Sequence, residues 1–85
     1  MNTSIYVTVQ YDNELQRITK VSESPMVIFG NQTFPYLLMN IFLEHPELEK
    51  YKPGELGFLI NGVPPRTSTV LHDGDLVALS AHKTN

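Results

Sequence analysis

The sequence predicts an α+β fold, in which a mixed four- to five-stranded sheet carries one main helix across one of its faces. Two observations predict it. Apolar and polar residues alternate in 5–11, and an apolar strand pattern returns in 57–61 and 76–80. Between these strands, apolar residues recur at helical spacing after Thr33. Strands before and after a single helix are typical of a helix packed on one sheet.

The first strand is predicted at 5–11, where β-branched and aromatic residues alternate with polar ones. A turn signal follows at Asp12-Asn13, and 15–21 is predicted to return as a second strand on a weaker pattern. Residues 22–25 are expected to break that strand. The short apolar run at 26–29 has no usable period, so it either continues the sheet after a bulge or forms a loop that fills the core.

The main helix is predicted to begin after Thr33, a suitable N-cap, with Pro35 in the first turn where a missing N–H costs little. It is expected to stop near Glu44, because Pro46 disfavours helical geometry in the residue before it. Pro46 then opens a short helical turn. The core-facing side of the helix is predicted to consist of Phe34, Leu37, Leu38, Ile41 and Phe42.

The other side of this helix is also apolar, since it carries Tyr36, Met39 and Leu43. A helix on one side of a small sheet normally has a polar outer face. The favoured interpretation is that the apolar run 26–29, or the loop after Tyr51, folds over it. The alternative is a surface for self-association or for a partner.

The second half of the chain is predicted to hold two strands, 57–61 and 76–80. Asn61-Gly62 is a tight-turn dipeptide, and the two prolines that follow Val63 exclude a central strand there. Residues 68–71 are predicted to form a brief edge strand or a turn, and Asp-Gly-Asp at 73–75 leads into the last strand. The predicted core is Ile5, Val7, Val9, Leu37, Leu38, Ile41, Phe42, Phe58, Ile60, Leu71, Val77 and Leu79.

Length and composition predict a single domain over residues 1–85, with 81–85 as a short flexible tail. The chain has 6 Lys and Arg against 9 Asp and Glu, a net charge of −3, and no basic run. We therefore expect no nucleic-acid partner and no membrane partner. The absence of cysteine excludes disulfides and thiolate metal sites. The N-terminus does not resemble a signal peptide, and we expect a cytoplasmic protein.

The sequence contains few residue patterns that indicate catalysis or metal binding. His72, Asp73 and Asp75 are spaced as metal ligands can be, but Asp-Gly-Asp before a strand is ordinarily a turn whose carboxylates bond local N–H groups. His45 is placed where a helix ends, and a histidine there commonly bonds free carbonyls. We expect no catalytic residues, no cofactor and no metal site, and therefore no enzyme.

The outward side of the predicted sheet is more informative. If Phe58 and Ile60 face the helix, Leu59 faces outward. By the same alternation Leu76 and Ala78 face outward from the last strand, and Tyr6 joins them from the first. These residues are predicted to bind a protein partner, although single exposed apolar residues are normal on protein surfaces.

Three segments resemble a known family. They are TFPYLLMNIFLEHPEL at 33–48, FLINGVPP at 58–65 and TVLHDGDLVAL at 69–79. In this order they resemble the ubiquitin-like β-grasp, and within it the bacterial sulfur carriers: the small subunit of molybdopterin synthase and the thiamine-pathway carrier. The stretch 12–32 matches poorly. The resemblance implies a β-grasp fold and a partner such as an activating enzyme or a larger synthase subunit.

In that family, the chain ends in Gly-Gly, and its carboxylate is adenylated and converted to a thiocarboxylate. Two glycines pass a narrow tunnel because they carry no side chain. Here Ala81-His82-Lys83-Thr84-Asn85 occupies the tail, with Asn85 near the first glycine position. We therefore expect the chemical handle to be missing and assign no sulfur-bearing residue. His82 and Asn85 are predicted to contact a partner through the tail.

Three functions remain open at this point. The leading one is a non-enzymatic binding module that docks its open sheet face onto a partner protein, as a monomer or with weak self-association. The second is a sulfur carrier of molybdopterin or thiamine biosynthesis with an atypical or truncated C-terminus. The third is a small enzyme or metal-binding protein that uses the region 72–75.

Overall fold

The computed structural model describes residues 3–51 and 54–81. Its helices and strands are, in chain order, β1 (Ser4–Tyr11), α1 (Asn13–Thr19), β2 (Glu23–Phe29), α2 (Phe34–Glu44), a 3-10 helix (Pro46–Lys50), β3 (Leu56–Ile60) and β4 (Leu76–Ala81). The four strands form one sheet in the order β2-β1-β4-β3. The central pair β1–β4 is parallel and the two outer pairs are antiparallel. This mixed sheet confirms the predicted α+β class.

The prediction of a strand at 15–21 was wrong, because this segment contains α1. Asp12 is the N-cap of α1 and accepts a hydrogen bond from the Leu15 backbone N–H at 2.8 Å. Glu14 in the first turn and Arg17 in the last turn both suit the helix dipole. Leu15 is fully buried, so the short helix is held by the core on which it docks.

The apolar run 26–29 is part of strand β2, so it continues the sheet and does not form a loop that fills the core. The strand begins at Glu23, so the predicted break at 22–25 was wrong. Ser24, Met26 and Ile28 are buried, whereas Val27 and Phe29 are exposed. β2 lies at the edge of the sheet, where Pro25 costs no ladder bond if its missing N–H faces away from β1. The Tyr11 N–H donates to Ser22 and the Gly30 N–H to Thr3, and this alternation turns Pro25 outward.

The main helix α2 follows the prediction closely. It begins after Thr33 and ends at Glu44, before Pro46. Thr33 occupies the cap position without a side-chain cap bond. The segment after Pro46 forms the predicted helical turn as a 3-10 helix, whose Leu48 is fully buried.

The connection after β3 is the predicted tight turn. Asn61 and Gly62 both have positive φ, 51° and 84°, as the primed turns of hairpins require. Ile60 and Val63 exchange both backbone hydrogen bonds across it, at 2.8 and 3.0 Å. Further on, Val70 makes only an isolated bridge with Thr33.

Most of the predicted core is confirmed. Phe42 and Phe58 are only partly buried but pack against it. Leu38 was wrongly placed in the core: it is only partly buried and lines a groove on the outer side of α2. Among the described residues, five buried hydrophobic residues were not predicted: Tyr11, Leu15, Met26, Ile28 and Leu48.

The outer side of α2 is not covered as the favoured interpretation required. Tyr36 is partly buried against the core, but Met39 and Leu43 are 52% and 72% exposed. Together with Pro35 and Leu38 they border an open apolar groove. Within residues 3–51 and 54–81, no helix is long and apolar enough to cross a membrane.

Candidate protein-binding face

The sheet has one face in the core and one face open. Leu37 and Ile41 of α2 share the core with the inward strand residues, such as Val7 and Val77. Residues paired across neighbouring strands point to the same side of a sheet. The opposite side therefore carries Ser4, Tyr6, Thr8 and Gln10 of β1, Glu23, Pro25, Val27 and Phe29 of β2, Leu76, Ala78 and Ser80 of β4, and Gly57 and Leu59 of β3. We call these residues the open face.

The open face is apolar and almost uncharged. Five large apolar side chains on it are at least 41% exposed: Tyr6, Val27, Phe29, Leu59 and Leu76. Glu23, at one corner, is the sole residue of this set that carries a charge. The face therefore offers apolar area to a partner with little charge to desolvate.

The structure brings four of the predicted partner-binding residues onto this one face. Leu59 of β3 pairs with Ala78 of β4, and Leu76 pairs with Thr8 of β1. Tyr6 lies two residues before Thr8 on the same side of β1. Ala78 is only partly exposed. The other two predicted residues, His82 and Asn85, lie outside the described residues.

Sequence reasoning missed Val27 and Phe29, which contribute two of the five exposed apolar side chains. They lie on β2, where Val27 pairs with Tyr6 and Phe29 pairs with Ser4. The apolar run 26–29 was the available signal. All four residues of this run are apolar, so the sequence shows no alternation with a period of two. The reason is that one side of the strand faces the core and the other side belongs to the apolar open face.

The loop 72–75 is held by its aspartates. The Asp73 carboxylate accepts a hydrogen bond from the Tyr6 backbone N–H at 2.7 Å, and the Asp75 carboxylate accepts one from the His72 N–H at 2.8 Å. The Asp75 bond to His72 is the local bond that the turn interpretation predicted, whereas the Asp73 bond to Tyr6 joins the loop to β1, far away in the sequence. In the part of the chain that the structure describes, no three His, Asp or Glu side chains are grouped as metal ligands.

Asp12 anchors the end of β4, from which the tail continues. One of its oxygens caps α1 and the other accepts a hydrogen bond from the Ala81 N–H at 2.8 Å. The Asp12 N–H itself donates to the Leu79 carbonyl at 3.0 Å. Ala81, which was predicted to belong to the tail, is therefore the last residue of β4.

Two tyrosines lie in environments that disfavour their charged form. Burial raises the pKa of Tyr11, and the negative charge of Glu44 raises it further. The hydrogen bond with Ser24 lowers the pKa but does not cancel these effects. Desolvation also raises the pKa of Tyr51, whose hydroxyl donates to Glu14 at 3.0 Å. Both phenols are neutral at physiological pH, which suits structural hydrogen bonds.

The Tyr11 cluster lies inside the protein. The Tyr11 ring packs edge-on against His45 at a centroid distance of 5.4 Å, and its hydroxyl lies 3.1 Å from that of Ser24. Tyr11 and Ser24 are 4% and 8% exposed. His45 Nε2 is buried without a hydrogen-bond partner among the described residues. A substrate has no access to these hydroxyls, so the cluster is a core contact.

Sheet order, parallel central strands and the helix packed across one face define the ubiquitin-like β-grasp fold. No protein-family model and no curated protein sequence matches the chain. Several solved structures, however, match its fold. A Pyrococcus furiosus protein assigned as molybdopterin converting factor subunit 1 superimposes with a TM-score of 0.84 at 19% identity, over 93% of this chain and 99% of that one.

Two further structures show the same fold. The small archaeal modifier protein 1 of Methanosarcina acetivorans has a TM-score of 0.79 at 19% identity, over 98% of both chains. A ubiquitin-like protein of Trypanosoma brucei has a TM-score of 0.69 at 18% identity, over 99% of this chain and 100% of that one. This coverage includes the stretch 12–32, which matched poorly by sequence. At these identities the likeness establishes the fold, and it confirms the resemblance to sulfur carriers at that level.

Proposed function

We propose that this protein is a non-enzymatic binding module that docks its open face onto a partner protein. The observation that carries the proposal is the convergence of Tyr6, Val27, Phe29, Leu59 and Leu76 on one exposed side of the sheet. Isolated apolar residues are common on surfaces, whereas contiguous apolar patches mark interaction sites. Removing this area from water contributes about 25 cal/mol per Å².

The size of the face bounds the affinity. Four strands spaced about 4.8 Å apart and about 20 Å long give a flat footprint of about 400 Å². A standard interface takes about 800 Å² from each partner. A partner that contacts the open face alone therefore makes a small, reversible complex. The same limit applies to a second copy of this chain, which fits a monomer with weak self-association.

The test is a charge introduced into the face. A partner is first identified by affinity capture and purified, and binding is then titrated with Leu59→Asp and Leu76→Asp. Each variant is expected to weaken binding at least about tenfold, because a carboxylate must be desolvated in an apolar contact. Leu43→Asp is the matched control, because Leu43 is 72% exposed on α2, outside the open face. Circular dichroism verifies that each variant is folded.

Two results would contradict the proposal. Unchanged binding by both sheet variants would remove the open face from the interface. Weaker binding by Leu43→Asp alone would move the interface to the groove on α2.

A sulfur carrier of molybdopterin or thiamine biosynthesis is the second candidate. The observation that favours it is the fold likeness to molybdopterin converting factor subunit 1. For a carrier, the open face would serve as the docking surface of an activating enzyme or of a larger synthase subunit. A carrier also requires a C-terminal carboxylate that can be adenylated.

Two experiments distinguish the binding module from the sulfur carrier. Incubation with ATP and purified activating enzymes should produce an acyl-adenylate from a carrier and none from a pure binding module. The intact mass of the protein from its native cells shows whether the chain continues to Gly-Gly and whether it carries a thiocarboxylate. An adenylate or a thiocarboxylate would replace the binding-module proposal with the carrier.

A further inference from the structure

Asn61 is held at both ends of its side-chain amide. Its Nδ2 donates to Asp75 Oδ1 at 2.9 Å, and its Oδ1 accepts from the Leu76 backbone N–H at 2.9 Å. Asp75 is 8% exposed, and its other oxygen accepts from the His72 N–H. The Asn61 side chain is therefore fixed toward the start of β4.

Asn61 is also the one asparagine in the sequence that is followed by glycine. Gly62 has a φ of 84°, and a Cβ built on it meets no atom within 4 Å. Because glycine has no side chain, no Cβ hinders the approach of its backbone nitrogen to the preceding side chain. An amide carbon next to such a nitrogen can cyclise without any enzyme.

We propose that Asn61 is a site of spontaneous deamidation, and that the fold suppresses the reaction through the hydrogen bonds to Asp75 and Leu76. In the first step the Gly62 nitrogen bonds to Asn61 Cγ. The Cγ–Nδ2 bond breaks, and Nδ2 leaves as ammonia with the proton of the Gly62 N–H. The product of this step is a cyclic succinimide. Water then opens the ring to aspartate or isoaspartate at position 61, without oxidation or reduction.

The geometry explains why the intact fold resists this reaction. Asn61 Cγ must rotate toward Gly62, and this rotation breaks both side-chain hydrogen bonds at once. It also leaves the buried Asp75 carboxylate without the amide donor. The rate is therefore set by opening of this corner of the fold, where β3 turns away and β4 begins.

The product changes the same corner. A carboxylate at position 61 replaces the donor that lay 2.9 Å from Asp75 Oδ1, so two anions face each other. Isoaspartate adds one carbon to the backbone of a two-residue turn. Leu59 and Leu76 of the open face flank this corner. Deamidation thus regulates the partner surface, a consequence that rests on the proposed function.

Peptide mapping by mass spectrometry at pH 8 and 37 °C tests the site directly. The folded protein should deamidate at Asn61 at least about tenfold more slowly than a synthetic peptide of residues 57–66, the factor expected when two ordinary hydrogen bonds must open first. Asp75→Ala should accelerate the reaction in the folded protein. Asp75→Asn, which retains an oxygen acceptor for Asn61 Nδ2, should stay closer to the parent rate.

A stability control distinguishes this local lock from global unfolding. Leu48→Ala destabilises the core without touching Asn61. Equal acceleration by Leu48→Ala and Asp75→Ala, or equal rates in the folded protein and the peptide, would overturn the proposal. If Asp75→Ala does not fold, the comparison of protein with peptide and Asp75→Asn still decides it.

Hydrogen exchange tests the effect of deamidation on β4 without a binding partner. The Leu76 N–H should exchange faster after deamidation, because repulsion between the new carboxylate at position 61 and Asp75 moves the acceptor oxygen away from this N–H. Unchanged exchange would refute the proposed effect on β4. Failure of the binding-module proposal would leave the mass and exchange results untouched, so the two failures are distinguishable.

Discussion

Replacement of Asp12 by alanine tests how the fold secures the end of β4. The carboxylate joins α1 to the end of β4: it caps α1 through the Leu15 N–H and accepts a hydrogen bond from the Ala81 N–H, both at 2.8 Å. Loss of an N-cap costs about 1 kcal/mol. An unpaired, partly buried N–H adds about 1–2 kcal/mol. We therefore expect Asp12→Ala to lose about 2–3 kcal/mol of unfolding free energy.

The assay is urea unfolding followed by circular dichroism, supported by thermal melting. For a domain of this size 1 kcal/mol shifts the melting temperature by about 4–8 °C, so a fall of at least about 8 °C is expected. Asp12→Asn should lose about half as much, because an amide oxygen still caps α1 but offers only one acceptor. Asn13→Ala, at an exposed neighbour, is the control. A loss below about 0.5 kcal/mol for Asp12→Ala would refute the dual role.

Three further predictions follow from the packing and the polar contacts. Leu48→Ala should lose about 2–5 kcal/mol in urea unfolding because Leu48 is fully buried, whereas Leu38→Ala at the groove should lose less than about 1 kcal/mol; similar losses would contradict the assignment of Leu38 to the surface. Because the pKa of Tyr11 is raised in the fold, its contribution to stability is complete below the unfolded value of 10.0 and is lost as pH rises through the folded pKa; an ultraviolet titration in which Tyr11→Phe removes no late-titrating phenol would refute this. Millimolar magnesium or zinc should leave the melting temperature unchanged, since the carboxylates of Asp73 and Asp75 already accept backbone N–H bonds; a rise in melting temperature would revive the metal-binding hypothesis.

Local sequence signals predicted the elements whose pattern has one clear period. β1 alternates strictly, and α2 begins after Thr33 and ends before Pro46 as predicted. The turn at Asn61-Gly62 also follows from local chemistry, because few residues adopt positive φ at two successive positions. In these places the backbone preference and the tertiary structure agree.

The segment 13–29 could not be assigned in the same way. Seven residues of α1 are too few to form a stable helix alone, so docking of Leu15 into the core decides its conformation. β2 is apolar on both sides, and only its pairing with β1 shows which side faces the core. This is why Val27 and Phe29 were absent from the predicted face.

The fold class, most of the core and the outward direction of Tyr6, Leu59 and Leu76 could be predicted from the amino-acid sequence, because each depends on a period of two or 3.6 residues within single segments. Tertiary structure alone decided that these side chains share one face with those of β2. Strand order and register are relations between distant segments, and a local pattern does not contain them. For the same reason the contacts of Asp12 with Ala81 and of Asn61 with Asp75 emerged only when the strands were brought together.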